Sequence, residues 1–265
     1  MGAKAKIGII GCGNMGSAIM NGIRGKFTVL AAEKSLEQAE KFKKAFGLKT
    51  RPLPEVAAKS DIIILAVKPQ DFDAVLDEIK PFISKEKLFI SIAAGIPIDF
   101  INKKLGKNIK VIRTMPNLPL QIGLGMTAIA KSKNAGAQDL DIAVKIFSSV
   151  GEVLIVDEKY LNAVTAVSGS GPAYVFLFVE LFVESAIKLG FSKEQAIKLV
   201  GQTIKGSMAL LNQSKVCPKE LRAKVTSKGG TTQAAMDVFF ASKVDKIFDE
   251  ALSAACKRAK ELSNK

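Results

Sequence analysis

Residues 6–16 read Lys-Ile-Gly-Ile-Ile-Gly-Cys-Gly-Asn-Met-Gly, an apolar strand that runs without a break into a G-x-G-x-x-G turn. Nothing else in the chain limits its fold as strongly, because each glycine answers a different steric demand. Gly11 permits the tight turn out of the strand, Gly13 leaves room for a pyrophosphate beside the backbone, and Gly16 lets the next helix pack closely on the sheet. That helix, expected over Ser17–Arg24, directs its unpaired N–H groups and its positive end toward an anion. A second strand, Phe27–Ala32, leads to Glu33, twenty residues past Gly13, where an acid that binds a ribose is expected.

The pattern continues to about residue 157. Short apolar runs (Asp61–Val67, Lys87–Ala93, Lys110–Thr114, Met126–Ala130, Glu152–Val156) alternate with helical stretches that include Leu36–Phe46, Phe72–Ile79 and Leu140–Ser149. Alternation of this kind predicts a Rossmann-like, doubly wound α/β domain over residues 1–157, and the nearly continuous apolar runs suit strands covered on both faces. Beyond that point the pattern is helical only, which predicts an all-α C-terminal domain over residues 158–265. Pro172 suits the first position of a long helix that Gly190 ends, and Ser192-Lys193-Glu194-Gln195 is a capping box for the next. Helices this apolar need a partner to cover them, so the second domain is expected to dimerise.

Composition narrows the chemistry. The chain has no histidine, which removes imidazole acid–base catalysis, Ser-His-Asp triads and histidine metal sites together. Cys12, Cys217 and Cys256 are scattered and form no C-x-x-C, so neither a disulfide framework nor a metal site is expected, and a reducing cytoplasm is. The net charge of +14 raises the question of nucleic acid, but the lysines alternate with glutamates and only two tyrosines and no tryptophan are present for base stacking. A solvated basic surface that draws in anionic small molecules is the expectation. The apolar run Ala173–Leu189 contains Glu180 and Glu184, with Lys188 near its end, and reads as a buried interface helix rather than a membrane span.

Ligands of open α/β sheets bind beyond the carboxyl ends of parallel strands. Besides the glycine turn, Ala66-Val67-Lys68-Pro69, Ser91-Ile92-Ala93-Ala94-Gly95 and Arg113-Thr114-Met115-Pro116-Asn117 fall there, the last with its polar groups expected to be exposed where the proline breaks the strand. In the helical half, Ser227-Lys228-Gly229-Gly230-Thr231-Thr232 precedes a helix expected over Gln233–Phe240. It reads either as a cradle for a small carboxylate, with hydroxyls at Ser227, Thr231 and Thr232, or as a capping turn that uses the same groups.

These blocks, with Ser168-Gly169-Ser170-Gly171-Pro172-Ala173-Tyr174, together resemble pyrroline-5-carboxylate reductase over nearly the whole chain. The resemblance implies reduction of the ring C=N bond of 1-pyrroline-5-carboxylate, a small anionic imine, to L-proline by NADPH or NADH. It also implies helical domains interlocked as a homodimer or a ring of dimers. Carried onto this sequence, it places Ile10, Gly11, Cys12, Gly13, Asn14 and Met15, then Ala66, Val67, Lys68 and Pro69, then Ile92, Ala93 and Ala94 on the cofactor. Glu158, Ser227, Gly230, Thr231 and Thr232 fall on the substrate, with Thr232 the candidate to hydrogen-bond the ring nitrogen and Glu158 to stabilise iminium charge.

Leu53 stands where members of that family often carry asparagine, and Lys224 where some of them do. Glu33 would accept hydrogen bonds from a free ribose 2′-hydroxyl and favours NADH, while adjacent Lys34 and the basic field favour NADPH. NADPH with NADH usable is the expectation. Two rival readings are a β-hydroxyacid dehydrogenase and a non-catalytic nucleotide- or nucleic-acid-binding protein. The first needs a lysine on the interdomain helix with an asparagine four residues later, and Lys188 has none.

Overall fold

The computed structural model describes residues 5–263. In chain order the α/β part is β1 (Lys6–Ile10), α1 (Asn14–Ile23), β2 (Thr28–Ala32), α2 (Leu36–Phe46), α3 (Leu53–Lys59), β3 (Ile62–Leu65), α4 (Phe72–Ile79), β4 (Leu88–Ser91), α5 (Ile98–Leu105), β5 (Lys110–Met115), β6 (Gly125–Lys131), α6 (Ala137–Phe147) and β7 (Gly151–Ile155). The helical part is α7 (Leu161–Val164), a π-helical turn Thr165–Gly169, α8 (Gly171–Lys188), α9 (Lys193–Ser214), α10 (Pro218–Lys224), α11 (Thr231–Ala241) and α12 (Val244–Ser263).

The seven strands form one sheet in the order β2-β1-β3-β4-β5-β6-β7. From β2 to β5 all neighbours are parallel; β6 runs antiparallel to β5, and β7 parallel to β6. The chain passes from β1 outward to β2 and then returns across β1 to β3. Connections from the two sides part between β1 and β3, which opens the crevice where doubly wound sheets bind ligands.

Alternate residues of each inner strand serve opposite faces, as the strand period of two requires. Ile7, Ile9, Ile62, Ile64, Ile90 and Ile112 pack with Ile19, Ile23 and Phe147 of α1 and α6. Ile10, Ile63, Leu65, Phe89 and Val111 pack with Val56, Phe72, Leu76 and Ile101 of α3, α4 and α5 on the other. Burying each such side chain is worth about 1.5–3 kcal/mol, so two covered faces anchor the strand ends firmly.

By packing, the chain divides into Met1–Pro172 together with Ala255–Lys265, and Ala173–Ala254. Within the second unit α9 starts at the capping box read from the sequence: the Gln195 N–H donates to Ser192 Oγ and the Ser192 N–H to Gln195 Oε1. α8 begins at Gly171, so Pro172 occupies its second position rather than its first. Phe176, Leu181, Val238 and Phe239 lie exposed on this unit in the isolated chain. The helical stretch Glu158–Lys188 is long and apolar enough to cross a membrane by length and composition, with a mean hydropathy of 1.5.

Candidate active site

The glycine turn joins β1 to α1 with the steric fit its sequence implies. Gly11 has φ +99°, and a Cβ there would lie 2.7 Å from the Ala66 carbonyl. A Cβ on Gly16 would sit 2.0 Å from the Gly11 oxygen, whereas one on Gly13 would meet nothing within 4 Å. Two glycines are therefore required by the fold and the third is not, and the space beside Gly13 suits a pyrophosphate. No side chain caps the N-terminus of α1, which leaves its first amides to an anion.

Backbone hydrogen bonds bring the neighbouring loops to the same sheet edge. The Gly11 N–H donates to Ala32 O at 2.9 Å, the Ala66 N–H to Ile10 O at 2.8 Å, and the Ile92 N–H to Leu65 O at 3.2 Å. Thus Ile10–Met15, Glu33 and Lys34, Ala66–Pro69 and Ile92–Ala94 all follow the carboxyl ends of β1 to β4. Ala93 is buried and its N–H donates to Ser91 Oγ at 3.3 Å. Lys68 is exposed beyond β3, and Pro69 opens a 3-10 turn. Cys12 is a buried filler whose Sγ lies 3.7 Å from Ala32 O. Burial first and the Glu33 carboxylate second push its thiol up to about 12.

The block from Arg113 to Asn117 departs from expectation. Arg113 and Thr114 are buried, at 4 % and 1 % exposure, because they lie inside β5 between β4 and β6 rather than past the strand end. Arg113 Nη1 donates to Glu158 Oε1 at 3.0 Å, and the same oxygen accepts the Ile98 N–H at 2.8 Å. Glu158 thereby ties β5, the start of α5 and the turn after β7 together, a link that sequence reasoning missed. A lone arginine in an apolar strand was the available signal, since a buried guanidinium needs an acid. Glu158 Oε2 has no protein partner among the described residues and remains an acceptor.

Two of the sequence blocks meet directly. Asn117 Nδ2 donates to Ser168 Oγ at 3.3 Å, its Oδ1 accepts the Met126 N–H at 2.8 Å, and Gly169 faces Met115, whose Cε would lie 2.4 Å from a Cβ there. The end of α12 also packs in this unit: Leu262 lies against Gly95, and Ser263 Oγ donates to Asn162 Oδ1 at 3.0 Å.

In the second unit, Gly230 is the N-cap of α11 and no side chain caps that end. The Gly230 N–H closes a turn on Ser227 O at 3.0 Å, and a Cβ on Gly230 would lie 2.4 Å from Ser227 Oγ. Thr231 and Thr232 are the first two residues of the helix, one residue pair earlier than the start expected at Gln233. The hydroxyls of Ser227, Thr231 and Thr232 have no protein partner among the described residues, so they are not spent on capping. Free helix-start amides beside free hydroxyls can hold a carboxylate. Among the described residues no three His, Cys, Asp or Glu side chains gather as a metal site.

Residues 158–262 match the family model for pyrroline-5-carboxylate reductase dimerisation, and residues 6–95 match that for NADP oxidoreductase, coenzyme F420-dependent. A pyrroline-5-carboxylate reductase of Staphylococcus aureus is 38 % identical over 98 % of this chain and 98 % of its own length. The chain belongs to the pyrroline-5-carboxylate reductase family.

Solved structures of the family agree in three dimensions. The pyrroline carboxylate reductase of Plasmodium falciparum, crystallised with NADP bound, is 33 % identical, covers 99 % of this chain and 100 % of its own, and superposes with a TM-score of 0.89. The pyrroline-5-carboxylate reductase of Coxiella burnetii is 35 % identical over 98 % of this chain and 99 % of its own, with a TM-score of 0.90. The resemblance drawn from the sequence blocks is therefore correct for fold and family, and the dehydrogenase and nucleic-acid rivals are not favoured.

Proposed function

We infer that this chain reduces 1-pyrroline-5-carboxylate to L-proline with NADPH, and that NADH serves as well. The observation that carries the reading is that each unit has one uncapped helix start of this kind, the first after the glycine turn and the second at Gly230. The first suits a dinucleotide pyrophosphate, and the second suits the carboxylate of a small substrate.

The bound nicotinamide would supply a hydride to the imine carbon. The residues of this chain have lighter tasks, because a protonated C=N accepts hydride readily once it is aligned. Ile10–Met15 and Ala66–Pro69 hold the phosphates and the adjoining ribose, and the small residues Ile92–Ala94 let the ring lie close to backbone. The amides of Gly230, Thr231 and Thr232 with the Ser227 hydroxyl hold the substrate carboxylate. Thr232 Oγ1 hydrogen-bonds the ring nitrogen, positioning it and relaying its proton, since an unperturbed hydroxyl is a weak acid. Glu158, fixed through Oε1, offers Oε2 toward the cationic imine and favours its protonated form.

Residues 1–157 act as the cofactor domain and 158–265 as the substrate and dimerisation domain. A second copy of the chain covers the exposed apolar side chains of α8, α11 and α12, which include Phe176, Phe240 and Phe248. Burying them against another copy, rather than in lipid, accommodates Glu180 and Glu184 within α8. The assembly is a homodimer or a ring of dimers working in the cytoplasm, with no role for nucleic acid. The test is spectrophotometric: NADPH oxidation that requires pyrroline-5-carboxylate and yields an equal amount of proline supports the reading. NADPH oxidation without proline, or none, refutes it.

A further inference from the structure

The last turn of α12 meets two segments of the α/β unit on which the proposed chemistry depends. Helix α12 begins at Val244 in the second unit, but its stretch from Ala255 onward packs with Met1–Pro172. In that stretch Ala255, Cys256, Ala259 and Ser263 recur at helical spacing and are the less exposed positions, whereas Lys257, Arg258, Lys260 and Glu261 are exposed. Small side chains on the inner face let the helix backbone come close to what it covers.

It does so at two points. Gly95 has φ +75°, and a Cβ built there would lie 3.3 Å from Leu262 Cβ and 3.3 Å from Leu262 O. Ser263 Oγ donates to Asn162 Oδ1 at 3.0 Å and also lies 3.0 Å from Ala259 O in its own helix. In sequence, these two contacts bracket the anchoring of Glu158. Gly95 comes three residues before Ile98, whose N–H donates to Glu158 Oε1 at 2.8 Å, and Asn162 comes four residues after Glu158, on α7. Just before Gly95 lies Ala93, whose N–H is tied to Ser91 Oγ. One helix end thus touches both the segment assigned to the nicotinamide and the helix that follows Glu158.

Resting on the reading that the nicotinamide lies on Ile92–Ala94, we propose that the last turn of α12 is a strap, with Leu262 and Ser263 as positioning residues that hold this segment and Glu158 aligned for hydride transfer. Neither residue touches a reacting atom. The turn Gly95-Ile96-Pro97 has a glycine at positive φ and a proline without an N–H, so packing against the strap helps to place it. Alignment is steep in distance, since a misplacement of about 1 Å costs about a hundredfold in rate. The adenosine half of the cofactor does not depend on the strap.

The test compares NADPH with 2′-phospho-ADP-ribose, which lacks the nicotinamide. Dissociation constants for both are measured by calorimetry on the intact oligomer of each variant, beside kcat and KM. Leu262→Gly removes the Cβ over Gly95 and loosens the helix end. It should lower kcat by about tenfold and weaken NADPH by about threefold, with the ribose probe within about twofold of wild type. Ser263→Ala and Asn162→Ala should each lower kcat by about threefold, and the double variant by no more than the larger single, because all remove one bond. Ser263→Thr, which keeps the hydroxyl, should restore most of the rate. A merely structural helix end would weaken both probes in parallel or leave kcat at the wild-type value. Either result, or additive losses in the double variant, overturns the proposal. If Leu262→Gly does not fold, the Ser263 and Asn162 variants decide by the same criteria. Failure of the wild-type protein to bind either probe would refute the cofactor reading itself rather than the strap.

Discussion

The guanidinium of Arg113 and the carboxylate of Glu158, 45 residues apart in sequence, meet at 3.0 Å, with the arginine side chain 5 % exposed and the glutamate 33 %. The bond ties the middle of the sheet to the turn from which the helical half departs.

Breaking that pair from the acid side leaves a buried cation without a counter-charge. Glu158→Ala should lower unfolding stability by about 2 kcal/mol, below the 3–5 kcal/mol typical of fully buried pairs because Glu158 is partly solvated. Urea denaturation at fixed protein concentration checks it. The double variant Arg113→Met with Glu158→Ala should recover part of the loss, whereas equal loss in the single and double variants would mean the ion pair is not the cause.

Gly13 and Gly16 separate cofactor binding from folding. Gly13→Ala meets open space and should leave stability within about 1 kcal/mol, the range for a glycine replaced at an N-cap, while raising the NADPH dissociation constant by about tenfold or more. Gly16→Ala collides with the Gly11 carbonyl and should lose both folding and binding. Unchanged NADPH affinity in Gly13→Ala would remove the turn from the cofactor site.

In the helical half the predictions run through kinetics. Thr232→Ala should cut kcat by about a hundredfold, the lower scale of positioned proton transfer, without changing NADPH affinity. Thr232→Ser should restore most of it. Ser227→Ala should raise KM for the imine and leave kcat nearly unchanged. Wild-type turnover in Thr232→Ala would take that hydroxyl out of the mechanism.

Cys12 carries a pH signature. Its thiol is raised from 9.0 to about 12 in the folded chain. Between those values the unfolded chain ionises first and binds fewer protons, so folding stability falls as pH rises through that window and is unaffected below it. Cys12→Ala should flatten the decline. At pH 8, Cys12 should resist iodoacetamide in the native protein and react after unfolding, as peptide mapping would show.

Much of the fold was legible because its signals are local. α2 and α4 begin and end where the sequence places them, α2 because Ser35 caps one end and Gly47 the other. Helix α6 starts at Ala137 rather than Leu140, since its first turn is polar and is fixed by the Gly136 N–H donating to Asp139. Strand β3 stops at Leu65, although the apolar run continues to Val67, because Ala66 must meet Gly11. The antiparallel entry of β6 is not written in any apolar run. It follows from the connection after Met115, a short 3-10 turn with no crossover helix, which parallel pairing would need. Likewise the glycine turn and the Ser227–Thr232 turn announce themselves by residue type. The Arg113–Glu158 bond and the bond from the Cys12 N–H to Glu33 depend on tertiary distances that no local pattern encodes.

Hydride delivery from the glycine-turn edge to a small imine is tested most directly by isotope transfer. NADPH carrying deuterium at both C4 positions is incubated with the protein and unlabelled pyrroline-5-carboxylate, and the proline is analysed by mass spectrometry. One deuterium at proline C5 for each NADPH oxidised is the predicted result. Unlabelled proline, or cofactor oxidation with no proline formed, would contradict it.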